Sequence, residues 1–371
     1  MPVDAAHALL CWYVVDKRVL PWRVQGGEPA DPYRIWLSEV MLQQTTVAAV
    51  KPYFEKFTSR WPTLEALAAA DDAEVMAAWA GLGYYARARN LIACARAIAA
   101  DHEGQFPGDE ASLRKLPGIG AYTAAAIAAI AFGKRAVAVD ANVERVIARL
   151  HAASDKKAIQ AFADAMTPNE NAGDFAQAMM DLGATICTPR RPDCGRCPLT
   201  THCAAFRAGD PELYPVKAPK RARPHRDGVA YWLESEGQVL LVRRAEQGLL
   251  GGMLALPTDA PAEADWREAG AVDHVFTHFA LTMRLKCAKA RQRPEGIWWP
   301  VERIGEAGLP TLFAKLAAMG VAWRSTPSPS HASAPRGPLP LPKWERETGS
   351  WPENPSPVRG EGGARREAVG G

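Results

Sequence analysis

Residues 116–132 read Leu-Pro-Gly-Ile-Gly and then Ala-Tyr-Thr-Ala-Ala-Ala-Ile-Ala-Ala-Ile-Ala-Phe. Pro117 and two glycines one residue apart end whatever helix precedes them and let the backbone turn tightly. The run from Ala121 is made of helix formers and begins at once. A glycine turn that opens a helix presents backbone N–H groups outward at the helix N-terminus, a cradle for phosphate that uses no side-chain charge. Ordinary turns between helices contain the same residues, so Gly118 and Gly120 alone leave both readings open.

Further along, Cys187, Cys194, Cys197 and Cys203 are spaced C-x6-C-x2-C-x5-C and account for four of the chain's seven cysteines. Four thiolates so close in sequence are the ligand set of a tetrahedral zinc site or of a [4Fe–4S] cluster. Four-cysteine zinc sites usually pair two short C-x2-C knuckles, and one is present here; the unequal gaps suit a cubane better. Disulfides are the third reading. The opening MPVDAAHALLCWY lacks the basic and apolar segments of a secretion signal, which disfavours an oxidising compartment.

The 371 residues, 48% of them hydrophobic, suffice for about two domains, and no apolar run is long enough to span a bilayer. A soluble, cytoplasmic protein is expected. A net charge of +3 diagnoses no polyanionic partner by itself. Residues 1–212 are alanine-rich with helical periodicity, broken at Pro62, Gly81–Gly83, Pro107–Gly108, Pro117–Gly118 and Gly133–Lys134, which predicts an all-helical domain of about ten short helices. Residues 213–227 hold Lys217, Lys220, Arg221, Arg223 and Arg226 among prolines, a basic extended linker that is either a solvated run or a phosphate-contacting strap. Residues 228–324 change character: GVAYWLESEGQVLLVRR reads as two strands joined at 234–237, with further strand segments at 272–285 and 297–301. Residues 325–371, with nine prolines and seven glycines and no periodic apolar positions, are expected to be disordered. The chain is thus read as multidomain: an all-α domain followed by an α+β domain.

Two carboxyls stand out. From Ile35 to Leu42 every residue is apolar except Ser38 and Glu39, the pattern of a buried helix, and burial raises a carboxyl pKa. Asp140 directly precedes the helical stretch 141–150, at an N-cap position where backbone N–H groups and the helix dipole favour the anion. Carboxyls in such opposed settings are candidates for an acid and a charge stabiliser. The plainer readings are that Glu39 pairs with Arg87 or Arg89 and that Asp140 only caps its helix.

Taken together, the LPGIG turn, an aspartate some twenty residues later and the four-cysteine loop resemble the helix-hairpin-helix base-excision DNA glycosylases related to endonuclease III. The segments Trp36-Leu37-Ser38-Glu39-Val40-Met41-Leu42-Gln43-Gln44-Thr45 and Gly81-Leu82-Gly83-Tyr84-Tyr85-Ala86-Arg87-Ala88-Arg89-Asn90 look like those of the adenine DNA glycosylases of the MutY type. The resemblance runs from about residue 8 to about 300. It implies a helix-hairpin-helix at about 113–132, a [4Fe–4S] cluster on the 187–203 loop, and a Nudix-like second domain. It also implies removal of adenine mispaired with 8-oxoguanine or guanine in duplex DNA, by a monomer acting at the nucleoid, with no membrane partner. Glu39 would be the general acid and Asp140 the stabiliser of the sugar cation, with Tyr122 and Asn142 lining the site. Arg18, Trp22 and Gln177 match pocket positions. Leu42, Gln44, Thr45, Leu82 and Tyr84 match positions at the duplex, and Phe276-Thr277-His278 occupies the place of a lesion-reading Phe-Ser-His loop. For Tyr85 a plain core aromatic is the preferred reading.

Endonuclease III-like lyases place a lysine two residues after the second hairpin glycine. Tyr122 stands there, and a phenol cannot form an imine, so the resemblance implies a monofunctional enzyme. Nucleotide hydrolysis by the second domain is not expected, because no glutamate lies between Gly252 and Glu263 and Arg267-Glu268 runs into Ala269-Gly270.

Overall fold

In the computed structural model, which describes residues 2–24, 30–216, 222–245, 248–276 and 278–324, each glycine or proline break read above falls between two helices. Thr277, the linker residues Lys217, Lys220 and Arg221, and the 325–371 tail lie outside the described residues. The chain divides into two units after Arg223. The first comprises α1 (Pro2–Asp16), α2 (Pro32–Leu42), α3 (Val47–Arg60), α4 (Leu64–Ala68), α5 (Asp72–Trp79), α6 (Ala86–Asp101), α7 (Glu110–Leu113), α8 (Ala121–Phe132), α9 (Ala141–His151), α10 (Lys156–Met166), α11 (Ala172–Thr185) and α12 (Ala204–Arg207). This exceeds the expected ten because single-turn helices such as α4 and α7 are too short to show a period. Side chains at Asp31, Thr46, Thr63, Asp71, Asp109, Asp140 and Asp155 accept backbone N–H bonds at helix starts, satisfying donors the helix leaves free.

The centre of this unit is α8. Thr123 through Ala129 are all buried, so the helix is covered on every side. Its small side chains let neighbours approach closely. A Cβ at Gly173 of α11 would stand 2.5 Å from the Ala129 carbonyl oxygen. α2 and α11 both pack on α8, and α9 packs on α11. That stacking brings the middle of α2, the start of α8 and the cap of α9 into one neighbourhood.

The second unit is a sheet with order β3-β2-β1-β5-β4, β6 pairing with β2, built from β1 (His225–Ser235), β2 (Gln238–Arg243), β3 (Leu254–Ala255), β4 (Arg267–Val275), β5 (Ala280–Lys289) and β6 (Ile297–Pro300). β1 and β5 run parallel; β1–β2, β2–β3, β2–β6 and β4–β5 are antiparallel. Glu236 and Gly237, both left-handed, form the two-residue turn between β1 and β2, matching the right-handed twist of the strands. The expected strand segment 272–285 falls on two antiparallel strands, the end of β4 and the start of β5. Along β5, Leu281, Met283, Leu285 and Cys287 are buried at a period of two, and α13 (Thr311–Arg324) packs on the sheet through Phe313 and Leu316. No described helix is long and apolar enough to cross a membrane.

Candidate active site and cluster loop

Glu39 is 6% exposed, in a helix where Tyr33 and Ile35 through Met41 are buried. Its Oε2 accepts the Tyr122 hydroxyl at 2.9 Å. Burial pushes the Glu39 carboxyl up to about 7; the Asp140 charge adds to the rise, while the Tyr122 bond and the Arg23 charge oppose it. Burial, followed by the Glu39 charge, holds the Tyr122 phenol well above its ordinary value, so it remains a donor. Arg87 bonds carbonyls and a hydroxyl rather than Glu39, so the pairing with Arg87 is not formed.

Asp140 caps α9. Its Oδ1 accepts from the amides of Asn142 at 2.9 Å and Val143 at 2.7 Å, and Oδ2 accepts from Asn142 Nδ2 at 3.0 Å. Three donors and the helix N-terminus therefore face it. Arg145 continues this chain, donating to Asn142 Oδ1 at 2.9 Å and to the carbonyls of Gly183 and Cys187 at 2.6 and 2.8 Å.

The two hairpin glycines differ. Gly118 has φ +74, and a Cβ there would meet the Asn90 side chain at 2.6 Å. Gly120, φ −87, caps α8 with no side-chain bond, and nothing lies within 4 Å of the position of its missing Cβ. Only Gly118 is demanded by the turn itself; Gly120 keeps the start of α8 open.

The other expected positions have the following surroundings. Trp22 is buried edge-on against Phe54, with ring centroids 5.3 Å apart. Arg18 donates from its amide and from Nε to Asp181, at 3.0 and 2.6 Å. Gln177 Nε2 turns back to the Gly173 carbonyl at 3.4 Å on its own helix. Leu82, expected at the duplex, is 6% exposed, because the turn that carries it folds its side chain inward. By contrast Gln44 and Tyr84 are exposed and sit at φ 56 and 49. Leu42, the last residue of α2, is half-buried, as is Thr45, whose hydroxyl accepts from Arg87. Tyr85 is buried. In the second unit Phe276 packs between His274 and Phe279, and His278 is exposed.

Sequence reasoning missed Asp181 and Arg23. Asp181 is fully buried on α11 between Met180 and Leu182, with Arg18 and Arg23 as its partners. These cations hold its carboxyl below the usual range against the effect of burial. An acid inside an apolar helix was the signal that singled out Glu39, and it was available here too.

Cys187, Cys194, Cys197 and Cys203 line one cavity together with Val146, Leu150, Leu182, Ile186, Leu199 and Phe206. Arg149, buried, donates to Cys187 Sγ at 3.3 Å, and the Cys203 thiol donates to the Arg149 carbonyl at 3.3 Å. Burial pushes the Cys197 thiol up to about 11 and raises Cys187 and Cys194. A metal group would displace those protons. Among the described residues no trio of His, Cys, Asp or Glu side chains converges on a site for a single metal ion. Four thiols around one apolar cavity are a donor set that fits an iron–sulfur cluster.

Residues 37–168 match the HhH-GPD superfamily base excision DNA repair protein family, 187–203 the iron-sulfur binding domain of endonuclease III, and 228–319 the NUDIX domain. The adenine DNA glycosylase of Arabidopsis thaliana is 39% identical over 294 residues, 67% of this chain and 46% of the relative, so the chain spans about half of that protein's length. The adenine DNA glycosylase of Mycolicibacterium smegmatis is 45% identical over 208 residues, 55% of this chain and 70% of the relative. The solved structure of a thermostable thymine-DNA glycosylase superposes with a TM-score of 0.50 at 32% identity, covering 55% of this chain and 95% of that one.

Proposed function

Because this chain belongs to the adenine DNA glycosylase family of base excision repair proteins, we propose that it is a monofunctional glycosylase that hydrolyses the N-glycosidic bond of adenine opposite 8-oxoguanine or guanine in duplex DNA. The observation that carries this reading is the buried Glu39 carboxyl under the Tyr122 hydroxyl, with a pKa near 7. Such an acid is substantially protonated at neutral pH and is matched to proton donation.

The adenine leaves the stack at a cost of roughly a few kcal/mol and enters the site. Glu39 passes its proton to N7 of the base. The C1′–N9 bond breaks and its electron pair leaves with the base, which departs neutral. The sugar is left as an oxocarbenium-like cation, and the Asp140 carboxylate, fixed by its cap bonds, stabilises that charge. Water adds to C1′ and its proton returns to Glu39. Asn142 holds Oδ2 of Asp140 in place.

The cofactor is a [4Fe–4S] cluster, which Cys187, Cys194, Cys197 and Cys203 would hold. Bound there, it supplies a rigid four-thiolate cross-link and a one-electron couple, neither of which the hydrolysis uses. Gln44 and Tyr84, exposed on left-handed turns, are the side chains proposed to enter the duplex. Phe276, Thr277 and His278 are proposed as a second surface for the opposing lesion. The enzyme is proposed to act as a monomer on chromosomal DNA in the cytoplasm.

Duplexes with A, G, C or T opposite 8-oxoguanine, incubated with the protein and then treated with or without alkali, test the whole reading. Alkali-dependent cleavage at adenine alone is expected. Cleavage without alkali, or a borohydride-trapped adduct, would show a lyase and refute the monofunctional assignment.

A further inference from the structure

Arg87 is 8% exposed, and its hydrogen bonds go only to carbonyls and a hydroxyl among the described residues. Nη1 donates to the carbonyls of Val40 at 2.9 Å and Met41 at 2.7 Å, the two residues that follow Glu39 near the end of α2. Nη2 donates to Thr45 Oγ1 at 3.0 Å and to the carbonyls of Leu82 and Gly83, both at 3.2 Å. The guanidinium also lies over the rings of Trp79 and Tyr84, 5.2 and 5.4 Å from their centroids. One planar group therefore touches three things at once: the C-terminal carbonyls of the helix carrying the acid, the turn carrying Gln44, and the turn carrying Tyr84.

Capping the negative end of α2 would need only a cation. Bonding two further turns in a fixed plane needs the fork of an arginine, which a lysine cannot reproduce. Gln44 and Tyr84 are exposed and held at positive φ, a conformation that costs free energy and persists only where surrounding contacts impose it. Arg87 supplies contacts to both turns.

We propose that Arg87 is a positioning residue that joins the helix of Glu39 and the two duplex-facing turns into one rigid unit, so that the fit of Gln44 and Tyr84 against the opposing base reaches the acid through a single guanidinium. This rests on the function proposed above.

Arg87→Lys is the test. It keeps the charge at the end of α2 and removes the fork. Amide hydrogen exchange of the free protein is expected to rise by roughly tenfold in both 42–46 and 82–86 with α8 unchanged, the size of effect that packed networks carry. The ratio of single-turnover rates on adenine opposite 8-oxoguanine and opposite guanine is expected to fall by a similar factor. Unchanged exchange in either turn, or an unchanged ratio, overturns the proposal. Should wild type release no adenine, the proposed function fails, and the exchange pattern still decides the role of Arg87. If Arg87→Lys does not fold, Thr45→Val deletes one contact at the rim. Faster exchange in 82–86 as well as 42–46 then supports the coupling, and a change confined to 42–46 overturns it.

Discussion

The Tyr122 hydroxyl donates to Glu39 Oε2 at 2.9 Å, and it is the one side-chain hydrogen bond that Glu39 makes among the described residues. Two opposed effects meet in that contact. Removal from water favours the neutral acid, and the phenol's hydrogen bond favours the carboxylate; burial is the larger, and the acid settles near 7.

Glu39→Gln is expected to lower adenine release by about 10²–10⁴ while leaving affinity for the mispaired duplex within a few-fold. Single-turnover kinetics and a binding titration measure the two. In the wild type the rate should decline as pH rises through about 7, where the acid is lost.

The same carboxyl links pH to folding. From 4.5, the ordinary value, to about 7, the native state keeps a proton that the unfolded chain has released, so stability falls with pH across that window. Glu39→Gln should match wild type near pH 4.5 and exceed it above pH 7 by roughly 3 kcal/mol, the order of the shift. Denaturant melts at both ends of the window check the sign.

Tyr122→Phe removes the bond that favours ionised Glu39, so the alkaline limb of the rate profile should move to higher pH. The hydroxyl lies beside the reacting groups, and the rate plateau should fall as well. A limb that moves to lower pH would show that the phenol does not act through Glu39.

Cys197→Ser should give a colourless protein without iron, where the wild type is brown with about four irons per chain. Elemental analysis and visible absorbance decide it. One zinc per chain in the wild type would contradict the cluster.

Gly183→Ala would place a Cβ 2.6 Å from Cβ of Asn142 and 3.0 Å from its carbonyl oxygen. Relief requires α9 to move away from α11, carrying the cap at Asp140 with it. A stability loss of about 1–3 kcal/mol is expected, with a larger fall in the rate of excision than in duplex affinity.

What could be read from sequence was what local pattern encodes. Glu39 was legible because an acid in an otherwise apolar helix is conspicuous, and Asp140 because an N-cap is a short-range device. The cysteine loop and the β1–β2 turn were legible for the same reason. Trp22 and Leu82 are site residues by resemblance alone, and no local pattern shows that the fold buries both. The network of Arg18 and Arg23 with Asp181 spans about 160 positions in sequence, and no periodicity announces a partnership at that range. Arg87 is a similar case: residues 40 and 41 become its partners only once α6 and α2 have packed.

The parallel pairing of β1 with β5 along 225–234 and 280–289 has a consequence for biosynthesis. Every helix of the first unit precedes residue 223, so that unit can fold on the ribosome as soon as it emerges. The central strand of the second unit is made early and its parallel neighbour late, with β2, β3 and β4 between them. Until β5 leaves the exit tunnel, β1 has an open edge and its apolar residues, Trp232 and Leu233 among them, lack their native cover. Slow or interrupted translation between 235 and 280 should therefore expose a nascent chain whose helical half is folded while its trailing half remains open to aggregation.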